Sequence, residues 1–297
     1  MTTLRADAIR RYALATTHGW IGVAESGAGG RPLLMIHGNS TCGHVFKHQM
    51  SGRLALDRHL IAIDLPGHGR SGNAPDPARS YTLPGMADAV LELLEMIGVR
   101  ELAIFGWSLG GHVALQMAPQ LGDNLKGLMI TGTPPAAGSA LMQGFLPSPH
   151  LLRARLQYFS PEDVAAFGTA ILGYAAPGDA APGDAPRGCA IDPALRHAIA
   201  RADGLMRKTL FDSVQDARQI DQRWLAENLA VPLAVVNGAA DPIVNLDYVD
   251  GLDYANLWRG RCLRFEGLGH APFWQAPEVF NPLLRDFLAD LDGGVSP

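Results

Sequence analysis

Gly106-Trp107-Ser108-Leu109-Gly110 stands straight after the apolar run Leu102 to Phe105 and straight before a helical pattern. A serine between a buried strand and a helix occupies a turn so sharp that its backbone is strained, and only small neighbours leave room for it. Gly106, Gly110 and Gly111 provide that room. A chain that turns this way commits itself to a strand with a crossover helix behind it, which is the unit of a parallel sheet covered by helices. It also pushes the Ser108 hydroxyl outward, away from the sheet.

The rest of the chain repeats the same alternation. Arg31 to Ile36, His59 to Asp64, Glu101 to Gly106, Leu125 to Thr131, Val231 to Asn237 and Arg261 to Phe265 are short, apolar on both sides and bounded by Gly or Pro, as buried strands are. Tyr81 to Ile97 carries a helical stripe closed by Gly98. Tyr12 to Thr17 and Trp20 to Glu25 read as an antiparallel hairpin turned at His18-Gly19. The fold class is therefore α/β, a mostly parallel sheet flanked by helices.

From about Pro134 to Leu229 the alternation stops and helical stretches take over, including Leu151 to Tyr158 and Pro193 to Val214. It resumes at Val231, and a terminal helix is expected over Pro277 to Leu291. The expected organisation is a discontinuous core, 1–133 and 230–297, with an inserted helical cap over 134–229. Within the cap, Ala176 to Pro186 doubles a Pro-Gly-Asp unit that can hold no helix and is expected to be a mobile loop.

Composition excludes several classes of function. A chain of 297 residues with 47% hydrophobic and 18% charged residues packs a core and is not disordered. Its net charge of −5 comes without a basic run interleaved with aromatics, which speaks against nucleic acid as a partner. No apolar run approaches the roughly 18 residues of a membrane span, and the first residues lack the h-region of a secretory signal. Cys42, Cys189 and Cys262 are odd in number and far apart, which fits a reducing compartment, so the protein is read as cytoplasmic. The sequence carries no signal of oligomeric state.

A serine hydroxyl attacks only when a base takes its proton, and that base must itself be held by an acid. Behind a nucleophile on a strand-to-helix turn, the acid and the histidine are sought in that order, on loops at the carboxyl ends of later strands. Asp241 follows the run Leu233 to Asn237, and His270 follows Leu263 to Phe265. Other candidates fail on position. His112, one helical turn beyond Ser108, reads as a packing residue, and Asp247 and Asp250 read as a solvated helix face. His44 and His48 have i, i+4 spacing but lack the Glu of H-E-x-x-H and a third ligand, so no metal is expected. Two backbone N–H groups must meet the oxyanion: Leu109 supplies one, and the loop His37-Gly38-Asn39-Ser40 supplies the other from Asn39, whose side chain can also donate to a bound polar group. Gly67-His68-Gly69-Arg70-Ser71-Gly72 fits G-x-G-x-x-G, but Pro75 and Pro77 forbid the helix that a pyrophosphate needs. It reads as a structural loop, and no cofactor is expected.

These residues together resemble the α/β-hydrolase superfamily over nearly the full chain. Asp64-Leu65-Pro66-Gly67-His68-Gly69-Arg70-Ser71 and Gly269-His270-Ala271-Pro272 are similar to that superfamily's loops. More narrowly, Met35-Ile36-His37-Gly38-Asn39-Ser40, the stretch Phe105 to His112, and the stretch Gly127 to Pro135 resemble the metal-independent N-acyl-homoserine lactonases of this fold. That resemblance implies opening of the lactone ring of acyl-homoserine signals, or quorum quenching, with Ser108, Asp241 and His270 as the triad and Asn39 in the oxyanion region. The acid matches as Asp241 where a Glu can stand in that group, and the doubled Pro-Gly-Asp is an insertion.

The cap points the same way without the resemblance. Leu141, Met142, Phe145, Leu146, Leu151, Leu152, Tyr158, Phe159, Phe167, Ile171 and Tyr174 are more apolar surface than a thin cap needs, which implies a greasy pocket. Trp107, Phe145, Phe167 and Tyr174 are its expected substrate contacts, beside Asn39. With nine Lys and Arg against ten Asp and Glu in 134–229, no cationic funnel favours phosphorylated substrates, and a neutral small-molecule acyl compound fits better. General carboxylesterases and carbon-carbon hydrolases keep the same three catalytic residue types and stand beside the lactonase reading. A ligand receptor with a capped pocket and incidental turnover is a reading of a different class.

Overall fold

The computed structural model describes residues 8–27, 29–136, 138–173, 191–216 and 218–293. Its strands are β1 (Arg10–Thr16), β2 (Gly19–Ser26), β3 (Leu33–Ile36), β4 (Leu60–Ile63), β5 (Leu102–Trp107), β6 (Leu125–Thr131), β7 (Leu233–Gly238) and β8 (Leu263–Phe265). They form one eight-stranded sheet in the order β1-β2-β4-β3-β5-β6-β7-β8. β1 and β2 pair antiparallel, as do β2 and β4, and every other pairing is parallel. Each strand expected from the sequence is present, and the hairpin forms the antiparallel edge.

Period-two alternation explains why the central strands read as unbroken apolar runs. In β5, Leu102 and Ile104 face one core while Ala103, Phe105 and Trp107 face the other. The first core is closed by helices α1 (Leu83–Met96) and α2 (Leu109–Leu121), through residues such as Met86, Val90, Val113 and Met117. The second is closed by the terminal helix, which runs over Pro277–Gly293 and buries Phe280, Leu284 and Phe287; Phe280 joins the rings of Phe46, Phe105 and Phe273, while Phe287 meets Trp258 edge to face. Helix α1 begins where the Thr82 hydroxyl accepts from the Gly85 N–H at 3.0 Å, two residues before Pro84 in the first turn.

Between β6 and β7 the described residues build helices: α3 (Pro149–Arg153), α4 (Pro161–Leu172), α5 (Pro193–Arg201), α6 (Gly204–Asp212) and α7 (Gln222–Ala226). The terminal helix Pro277–Gly293 is accordingly α8. Two expectations need correction here. The stretch 151–158 is not one helix, because α3 ends at Arg153 and the carbonyls of Leu156 and Gln157 are taken by the Arg207 guanidinium. The stretch 193–214 breaks at Ala202 and Asp203. There the Asp203 N–H donates to Gly67 O at 2.9 Å, and its carboxylate caps α6 while accepting from the Tyr81 hydroxyl at 2.6 Å. A side chain that serves as a cap starts a new helix and cannot continue an old one. The segment Ala176 to Pro186 lies outside the described residues. No helix among the described residues is long and apolar enough to cross a membrane.

The carboxyl ends of β3 and β5 meet at a point with no spare volume. Ser108 adopts φ 54° and ψ −119°. A Cβ on Gly110 would lie 1.9 Å from the Ile36 carbonyl oxygen, and one on Gly111 would lie 2.1 Å from Thr133 Oγ1. The Gly67 to Gly72 segment closes as a turn through the bond from Gly67 N–H to Gly72 O, and the next helix starts only at Pro77.

The loop after β3 is held by two buried imidazoles whose centroids lie 4.9 Å apart. His37 donates from Nδ1 to Gly38 O at 2.8 Å and accepts at Nε2 from the Leu65 N–H at 3.0 Å. His68 donates from Nδ1 to Pro66 O and accepts at Nε2 from the Ser40 N–H at 3.1 Å. Each ring is useful only when neutral, because a proton on Nε2 would face an N–H. Burial lowers both pKa values, that of His68 well below the ordinary range, with the neighbouring His37 adding to the effect.

Two outcomes follow from this frame. Gly110→Ala is expected to cost about 3 kcal/mol or more in urea unfolding, whereas Gly29→Ala, whose Cβ meets nothing within 4 Å, stays within about 0.5 kcal/mol. Because His37 and His68 bind protons less readily folded than unfolded, the stability they contribute is complete above the unfolded value of about 6.5 and drains as pH falls below it. Thermal melts between pH 7 and pH 5 should therefore decline, and a flat profile would contradict the neutral pair.

Candidate active site

Ser108 stands at the N-terminus of α2, its N–H donating to Thr131 O at 2.8 Å and its carbonyl accepting from Thr133 Oγ1 at 3.0 Å. The short crossover from β5 thus aims the serine at the carboxyl edge of the sheet, where the loops after β7 and β8 arrive. Asp241 follows β7 and His270 follows β8. The His270 Nδ1–H donates to Asp241 Oδ2 at 2.7 Å, and both residues are buried. The other carboxylate oxygen accepts from the N–H groups of Ile243 and Val244, at 2.8 and 3.1 Å, so the acid is fixed in position.

The histidine loop is anchored from the elbow itself. Trp107, almost wholly buried, donates its indole N–H to the His270 carbonyl at 2.9 Å. Gly132 leaves the space the ring needs, since a Cβ there would lie 2.6 Å from His270 Cε1. With Nδ1 engaged as a donor to Asp241, Nε2 is the nitrogen left to accept a proton. Ser108 and His270 line one cavity of about 120 Å³.

Asn39 lines the same cavity. The backbone N–H groups of Asn39 and Leu109 have no acceptor among the described residues, and at the first position of α2 the helix itself offers none. The Asn39 side chain is already employed. Its Nδ2 donates to Ala154 O at 3.1 Å and its Oδ1 accepts from Ser40 Oγ at 2.9 Å, which leaves one amide hydrogen uncommitted. Ser40 is in turn met by Arg207, a buried guanidinium that donates to Ser40 Oγ, Ala202 O, Leu156 O and Gln157 O and stacks 4.1 Å over Phe159. No carboxylate lies within ion-pairing distance of Arg207 among the described residues, and burial lowers its pKa to about 10.

The walls are mainly apolar. Phe145 and Phe167 line the cavity, as do Leu141, Leu151, Ile171, Leu210 and Phe211. Trp107 is also in the lining, with its polar end already spent on His270. Met142, Leu146, Leu152 and Tyr158, grouped with the pocket residues on sequence grounds, instead face solvent: Met142 and Leu152 stand on the outer side of short helical turns, and Leu146 and Tyr158 lie in the connections between them. Tyr174 lies outside the described residues. Leu210, Phe211 and Gln222 were not singled out from sequence, and neither was His150, whose Nδ1 is buried without a partner among the described residues. His112, buried as a packing residue would be, also lines the cavity. Its i+4 spacing from Ser108 is the signal that could have placed it there.

Known proteins resemble this chain over most of its length. The chain is 38% identical, with a TM-score of 0.87, to a mutant of the N-acyl homoserine lactonase AidH complexed with N-hexanoyl homoserine, over 96% of this chain and 98% of that one. Against the esterase RhEst1 from Rhodococcus sp. ECU1013 the values are 25% and 0.75, over 95% and 99%. A pimeloyl-[acyl-carrier protein] methyl ester esterase of Aromatoleum aromaticum is 30% identical over 254 residues, 86% of this chain and 96% of the relative. A family model described as alpha/beta hydrolase fold matches residues 31–277, and the chain belongs to that family.

Proposed function

We propose that this enzyme opens the lactone ring of N-acyl-homoserine lactones, a quorum-quenching reaction, with Ser108 as nucleophile and His270 and Asp241 as its base and orienting acid. The observation that carries the reading is a single apolar cavity holding Ser108, His270 and the open N–H groups of Asn39 and Leu109 at one end. The lactonase and esterase relatives support hydrolysis of an ester or lactone bond.

The reaction runs in two halves. Ser108 Oγ attacks the lactone carbonyl carbon while His270 Nε2 takes the hydroxyl proton, and the Asp241 carboxylate stabilises the imidazolium that results. Asn39 and Leu109 receive the oxyanion. The ring C–O bond then breaks, the proton on Nε2 passes to the leaving alkoxide, and the opened chain stays attached to Ser108 as an ester. Water, deprotonated by the same nitrogen, releases it as N-acyl-homoserine. The acyl tail lies against Phe145, Phe167 and Leu210.

In this reading 134–229 acts as a cap over a core of 1–133 and 230–297. The free thiols of Cys42 and Cys262 suit a reducing compartment, so we place the enzyme in the cytoplasm.

Ser108→Ala is expected to keep the fold and lose about 10³-fold or more in kcat. His270→Ala and Asp241→Asn should each approach that loss, and the double variant should fall far short of the product of the two, since the groups act as a unit. Additive losses would argue against a triad. With N-hexanoyl-homoserine lactone near pH 6.5, mass spectrometry should find the substrate plus one water with its acyl chain retained, in the presence of a chelator. Free fatty acid, or cleavage of simple esters with the lactone left intact, would replace this reading with that of a general carboxylesterase.

A further inference from the structure

His112 brings a polar atom into the apolar cavity that the chemistry of the triad does not use. Its N–H donates to the Ser108 carbonyl, one helical turn back, and its ring lies in the cavity wall, 6.2 Å from Phe145 centroid to centroid. The ring state can be worked out from its neighbour. Gln222 Nε2, which can only donate, faces the His112 backbone carbonyl at 3.0 Å. Gln222 Oε1, which can only accept, therefore faces His112 Nδ1, at 2.7 Å. Flipping the amide would set oxygen against oxygen, so the carbonyl fixes the amide and the amide fixes the tautomer. His112 carries its proton on Nδ1 and presents a bare lone pair at Nε2. That atom has no partner among the described residues. Burial keeps the ring neutral by lowering its pKa.

We infer that His112 Nε2 accepts a hydrogen bond from an N–H of the substrate, and so selects acyl compounds joined through a secondary amide over those joined through an ester oxygen. The inference rests on the lactonase reading for its natural substrate, but it concerns a different bond from the one that is cleaved. An acceptor in an apolar wall discriminates in both directions. It gains a hydrogen bond from N–H, and it faces an ester oxygen lone pair to lone pair, with no water to relieve the mismatch. Gln222 is the positioning residue, since without it the imidazole is free to move its proton to Nε2 and turn the acceptor into a donor.

The test compares substrates that differ only in that atom. One pair is N-hexanoyl-homoserine lactone and α-hexanoyloxy-γ-butyrolactone; the other is the phenyl esters of N-hexanoylglycine and of hexanoyloxyacetic acid. The native enzyme is expected to favour the N–H member of each pair by about tenfold or more in kcat/KM. In His112→Phe the ratio should fall to within about twofold of unity. Gln222→Met should lower it as well and serves as the deciding variant where His112→Phe does not fold. A native ratio near one, or a ratio that neither variant moves, overturns the inference. Turnover of the phenyl esters with both lactones intact overturns the lactonase reading instead and leaves the second pair to decide this one. Turnover of neither pair overturns both.

Discussion

A backbone held at φ 54° on a residue that bears a side chain is unfavourable by itself, and the structure around Ser108 consists largely of what keeps it there. The Ser108 N–H is tied to Thr131, its carbonyl to Thr133, and the two glycines that follow let α2 press against its neighbours at distances no Cβ would tolerate, Gly110 against the end of β3 and Gly111 against Thr133. That close approach brings the loop after β3 beside the serine, so that N–H groups from two separate crossovers open onto one cavity. The strain at Ser108 and the meeting of those N–H groups are thus consequences of the same packing.

Order at the site is maintained by groups that are each committed on two sides. Trp107 faces the second core with its ring and holds His270 with its N–H. Asp241 meets His270 with one oxygen and its own loop with the other. His37 and His68 stitch the β3 loop to the β4 loop in a state that burial keeps neutral. Few of these groups could be replaced singly without stranding a partner in a place where water cannot substitute.

Much of this was legible in the residue order, and the reasons are physical. Strand positions follow from apolar runs, the elbow from glycines that leave no other solution, and the approximate places of Asp241 and His270 from the ends of the last strands. The inserted helices were less legible. Their boundaries are set by distant partners: Asp203 is drawn to Gly67 and Tyr81, and the 156–157 carbonyls are drawn to Arg207. Such pairings leave no periodic trace. Met142 and Tyr158, close in sequence to pocket residues, likewise turn out to face solvent. The bond between His112 and Gln222, more than a hundred residues apart along the chain, was equally invisible in the sequence.

Arg207 gives the inserted helices an importance beyond lining a pocket. Its guanidinium, without a carboxylate partner among the described residues, runs through Ser40 to Asn39 and back through Asn39 to Ala154. The insertion and the β3 loop therefore form one closed circuit of hydrogen bonds and are not separable parts. Exchange of the helical segment between related enzymes would have to carry Arg207, Ser40 and Asn39 together. The functional seam of this molecule accordingly runs through the β3 loop, away from the chain positions where the insertion begins and ends.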